Sequence, residues 1–164
     1  MNPYQVAFLS LALPLLQYLI GTSLALKPWV LFEPYVLFWL VMPFSWAPEI
    51  SLLISFAFGM ILDIVFPPYG THTFSGLWLW ALRGWWIRFV RPFQASDEIP
   101  HPENFSPGEW TLYAFPLCVL YLLSYYLLQD PSWEAFLWAI LSASYSFLGT
   151  LTLFAIFVRR KDAR

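Results

Sequence analysis

Long apolar runs, broken at intervals by proline, glycine and charge, divide this chain into six segments. Residues 4–26 carry no charged side chain, and Pro14 lies within them. Residues 34–47 are apolar but short, and Pro43 interrupts them. Residues 50–66 contain one acid, Asp63, and residues 72–90 contain Arg83 and Arg88 among four tryptophans. Residues 110–128 are uncharged, with Pro116 inside, and residues 134–158 carry only Glu134. A bilayer-spanning helix needs about 20 residues. Five segments therefore read as spans. The second reads as a short tilted span, a broken helix or a re-entrant hairpin.

The breaks set the path of the chain. Pro67-Pro68-Tyr69-Gly70 stops the third segment, since neither proline continues a helix. So short a turn sends the fourth segment back antiparallel beside the third. Residues 92–109 hold Asp97, Glu98, Glu103 and Glu109 with Pro100, Pro102 and Pro107, and read as a solvated polar loop. Gln129-Asp130-Pro131 reads as a turn, with Ser132 or Asp130 capping the last helix. Residues 159–164 form a basic tail. Residues 1–5 lack Lys and Arg, so a cleaved signal peptide is not expected at the start.

Composition turns this pattern into a fold class. Hydrophobic residues make up 60% and charged residues 11%, against about 25% charged in soluble domains. The expectation is an all-α integral membrane domain over residues 1–164. It would be a compact bundle of about six transmembrane helices, or five plus a re-entrant segment. Arg88, Arg91, Arg159, Arg160, Lys161 and Arg164 fall on one side in either arrangement, which makes that side and the C-terminus cytoplasmic. The net charge of −2 gives no basic surplus for nucleic acid. Cys118, the single cysteine, excludes an internal disulfide and reads as a packed apolar side chain.

Asp63 is the sharpest polar feature, because an acid within a spanning helix is expensive. Ser55, Gly59 and Asp63 recur every four residues on one helix face, where small residues permit close backbone approach. Asp63 lies about 5 Å below its helix end and Arg83 about 16 Å along the next helix, so depth argues against their pairing. His72 is the better partner, in a polar cluster that could include Glu33 or Lys27. Arg83 either snorkels along its helix or bonds to carbonyls at a break in the second segment. Ala139, Ser142, Ala143, Ser146, Gly149 and Thr150 form a small-residue stripe on the last helix. Packing within the chain is its default reading, and docking of another protein's membrane helix is the alternative. No metal-ligand set, phosphate loop or nucleophile motif is present, so no catalytic, cofactor or metal residues are assigned and no enzyme is expected.

The stretch Phe58-Gly59-Met60-Ile61-Leu62-Asp63-Ile64, followed by Gly70-Thr71-His72, resembles the signature of the rod shape-determining MreD family. The similarity extends through Leu82-Arg83 and Phe89-Val90-Arg91-Pro92. It also covers chain size, Pro34 before a short second span, the acidic middle loop and the basic tail. Gly59, Asp63, Gly70 and His72 match the family's motif positions. The resemblance implies a non-enzymatic subunit of the bacterial cell-elongation machinery in the inner membrane. Its implied partners are the membrane helix of MreC, the MreB cytoskeleton, and RodA with its partner transpeptidase, beside membrane lipid. It also implies a helix arrangement similar to the substrate-binding subunits of ECF transporters. That likeness suggests the competing reading, a small-molecule-binding transport subunit.

Overall fold

The computed structural model describes residues 3–21, 31–66, 68–91 and 105–159. Among these residues the regular structure is entirely helical. Helix α1 spans Pro3–Leu16, α2 Val36–Val41, α3 Pro48–Val65, α4 Thr71–Val90, α5 Pro107–Gln129 and α6 Trp133–Arg159. A π-helical turn, Gln17–Gly21, extends α1 just after Pro14. A proline that cannot donate to the helix ladder is a recognised cause of such irregularity.

Local chemistry sets the helix ends. Pro48 sits in the first turn of α3, where its missing N–H costs nothing. Gly70 precedes α4 with a φ of 89°, in the left-handed region that favours glycine. Ser106 starts α5 with a capping box: its Oγ accepts from Glu109 N at 3.3 Å, and Ser106 N donates to Glu109 Oε2 at 2.8 Å. The Ser-x-x-Glu signal was present in the sequence. The helix accordingly starts at Pro107, three residues before the expected 110. The other long helices begin and end within two residues of expectation, save α1, for which residues 22–30 lie outside the described residues.

Consecutive helices pack side by side: α3 along α4, α4 along α5, α5 along α6. Two of them, Pro48–Val65 and Pro107–Gln129, are long and apolar enough to cross a membrane.

The second segment differs most from its expected extent. Of residues 34–47, only Val36–Val41 is helical, a length of about 9 Å. The rest is turn and irregular chain. This piece lies in the core. Tyr35, Val36, Leu37, Phe38, Trp39, Leu40 and Met42 are all buried. Tyr35 meets His72 and Phe66 near the α3–α4 turn. Trp39 packs on Phe58 and Tyr121. The Tyr113 hydroxyl donates to Leu40 O at 3.1 Å, and Met42 O accepts from Arg83. The segment is a short helix followed by irregular chain. Partners for its loose carbonyls come from neighbouring helices.

Apolar residues cover the outside of the bundle as well as filling most of its core. Large apolar side chains face outward, among them Leu11, Leu53, Ile64, Phe89 and Leu148, each at least 60% exposed. The interior holds Glu33, Asp63, His72, Ser75, Arg83, Ser142, Ser146 and Thr150.

Candidate functional site

The α3–α4 corner gathers four of the residues singled out from the sequence. Gly70, as N-cap of α4, has no side chain to offer the free N–H groups of the first turn. Asp63 of α3 supplies the acceptor instead. Its Oδ1 accepts from His72 N at 2.9 Å and its Oδ2 from Thr73 N at 3.0 Å. The Thr73 hydroxyl donates to the same Oδ2. A carboxylate at a helix N-terminus gains from both the charge-assisted bonds and the helix dipole.

Gly59 makes this geometry possible. A Cβ there would stand 2.6 Å from the Thr73 Cα, inside van der Waals contact. The missing side chain lets α4 approach α3 closely enough for Asp63, one turn on, to reach under its N-terminus. The Gly59-x-x-x-Asp63 spacing is thus a packing notch followed by a cap.

His72 joins the cluster twice. Its backbone meets Asp63, while its ring turns inward between α2 and α5. Nδ1 lies 3.1 Å from the Tyr35 hydroxyl and 3.0 Å from the Tyr121 hydroxyl. The Tyr125 ring packs 4.8 Å from the imidazole. Nε2 is buried without a hydrogen-bond partner among the described residues. Tyr35, Tyr121 and Thr73 escaped the sequence reading because nothing in their spacing places them opposite His72. Glu33 is buried, its N–H donating to Ser146 Oγ at 2.8 Å. Lys27, the other suggested member, lies outside the described residues.

Arg83 is not part of this corner. Its Nη1 donates to Trp39 O at 2.6 Å and Met42 O at 2.8 Å, where α2 ends. The Phe44 ring centroid lies 4.4 Å from its Cζ. Of the two fates open to Arg83, carbonyl binding at a break in the second segment is the one observed. Asp63 and Arg83 do not pair, in line with their difference in depth.

Gly76 carries a further notch that sequence reasoning missed. A Cβ on it would fall 2.2 Å from the Trp39 ring, so its absence makes room for α2 inside the bundle.

The small stripe on α6 is filled from within. Ser142 Oγ accepts from Leu31 N at 3.0 Å and lies 2.8 Å from the Tyr126 hydroxyl. The Phe32 ring occupies the space beside Gly149, 2.3 Å from where its Cβ would be. Ser55 is buried on the α3 face, its Oγ without a hydrogen-bond partner among the described residues. Among the described residues no three His, Cys, Asp or Glu side chains converge as metal ligands.

No family model, no curated protein and no solved structure matches this chain.

Proposed function

We propose that this chain is a multi-pass protein of the bacterial cytoplasmic membrane. In this reading it serves the cell-elongation machinery as a non-enzymatic, partner-binding subunit. The observation that carries the membrane placement is the apolar outer surface: leucine, isoleucine, phenylalanine and tryptophan side chains lie exposed along the helices, outside a core that is itself largely apolar. Water would penalise that outer surface, whereas hydrocarbon accepts it. The antiparallel hairpins bring the ends of α4 and α6, with Arg88, Arg91 and Arg159, to one side. The positive-inside rule makes that side cytoplasmic.

The elongation role rests on the resemblance of the Gly59, Asp63, Gly70 and His72 motif to MreD. The corner built from these residues gives the motif a physical reason, a rigid interhelical joint. The partners in this reading are the MreC membrane helix, MreB, and RodA with its transpeptidase. The small-residue face of α6 is already filled by residues 31–33, so a partner helix would meet faces bearing larger side chains. The transport reading needs a substrate-sized polar cavity. The described cleft at Pro43–Gly84, at about 200 Å³, is smaller than the roughly 300–1,000 Å³ of usual ligand pockets; the preference for partner binding rests on the motif resemblance.

The deciding test is co-purification in mild detergent. Tagged chain co-expressed with an MreC-type protein should retain it through washing. It should lose it when Gly59→Leu opens the α3–α4 joint. Retention of a small molecule without the partner would support the transport reading instead.

A further inference from the structure

We propose that the cleft beside Arg83 binds the phosphate of an anionic phospholipid headgroup. Phe44, Trp46, Ser51, Trp80, Arg83 and Gly84 are among the residues that line it. Arg83 is 3% exposed, yet among the described residues no carboxylate lies within ion-pairing distance of it. Among the described residues its hydrogen bonds leave through Nη1, to two carbonyl oxygens. Carbonyls and the Phe44 ring orient the guanidinium without neutralising it. An arginine carries five N–H donors in a fork that matches phosphate bidentately. A buried, unneutralised cation gains most from such a ligand.

The surroundings select the class of anion. Trp80 Nε1 donates to Ser51 Oγ at 3.0 Å, which sets the cleft level with the first turn of α3. That helix end adds a positive dipole. Glu49, the acid in this turn, is exposed and does not line the cleft. Trp46 and Trp80 line the cleft, while Trp85 projects outward just beyond it, 65% exposed. Indoles favour the headgroup level of a bilayer. A site at that level, holding one cation and too small for a bulky ligand, suits a lipid phosphate with its first glycerol atoms. The inference rests on the membrane placement proposed above.

The test uses the full chain in mild detergent and native mass spectrometry. Dioleoylphosphatidylglycerol, dioleoylphosphatidylcholine and inorganic phosphate serve as probes. The expected result is about tenfold stronger retention of the glycerol lipid than of the choline lipid. Arg83→Gln removes the charge, but it also strips two buried carbonyls of their donor and could unfold the chain. Gly84→Leu is the cleaner variant, since nothing lies within 4 Å of a Cβ at Gly84 and the side chain would fill the cleft. It should abolish the lipid preference without lowering the melting temperature. Equal retention of both lipids by the wild type, or undiminished preference in Gly84→Leu, overturns the site. Inorganic phosphate binding as tightly as the lipid overturns the lipid assignment. Alkaline extraction of native membranes is scored separately. A chain released by it refutes the membrane placement, whereas an integrated chain without lipid preference refutes only the cleft.

Discussion

The two ends of the α3–α4 hairpin treat buried charge in opposite ways. At the turn end, the Asp63 carboxylate is surrounded by donors from its own chain: two backbone N–H groups and one hydroxyl. Toward the other end, the Arg83 guanidinium bonds two carbonyls and faces a cleft with no carboxylate partner among the described residues. A charge met fully by fixed dipoles of the chain is part of the scaffold. A charge oriented but not neutralised is free to meet a ligand. By burial the two residues look alike, at 6% and 3% exposure, so partners rather than depth separate the roles.

The sharpest way to break this contrast is to empty the corner. Asp63→Ala strands the His72 and Thr73 N–H groups and the Thr73 hydroxyl. It should cost about 3 kcal/mol, since each stranded buried donor is worth about 1–3 kcal/mol. Asp63→Asn keeps an acceptor oxygen and should lose less. Thermal unfolding in detergent checks both; a melting temperature unchanged in Asp63→Ala would mean the corner is not a structural joint.

Two glycines on facing helices then test the contrast with one substitution. Gly59→Ala drives a Cβ toward the Thr73 backbone and should destabilise by about 1–3 kcal/mol, the usual cost of overpacking. Gly84→Ala points into open space and should stabilise by about 0.5–1 kcal/mol, as alanine replaces glycine inside a helix. Shifts of the same sign at both positions would contradict the geometry of the two ends.

The smallest effect lies in the exposed first turn of α5. The Ser106 backbone N–H donates to the Glu109 carboxylate, the Ser106 side chain assists, and Arg91 lies 3.8 Å away. Together they hold its carboxyl below the ordinary range. A carboxyl lowered on folding stabilises above its unfolded range, and that contribution disappears as pH falls through the lowered value. Glu109→Gln should therefore lower the melting temperature slightly at neutral pH. The difference from wild type should vanish in acid; a gap that persists there would assign the effect to packing.

Much of the architecture was legible along the chain. Helices α3 to α6 follow uncharged or nearly uncharged runs, and prolines with glycine mark their ends, because these residues act locally on the backbone. The Gly59 and Asp63 spacing, the return at Gly70 and the nearness of Asp63 to His72 were likewise legible, although the bond runs to the His72 backbone N–H and the ring turns away to Tyr35 and Tyr121. Helical periodicity and a short turn leave little choice of neighbour. The Ser106 cap was readable too, but a surrounding run of prolines and acids masked it.

What only the tertiary structure decided is what fills the middle. Residues 34–47 carry no signal that they form the core, because a short apolar segment has the same sequence whether it faces lipid or other helices. The notch at Gly76 for Trp39 and the tyrosines around the His72 ring join residues far apart in the chain. No local rule connects them. Arg83 shows the division most clearly. Its sequence position said that a charge lay inside a span, which demands a partner. Only packing could show that α2 carbonyls orient the guanidinium and that no carboxylate described here neutralises it.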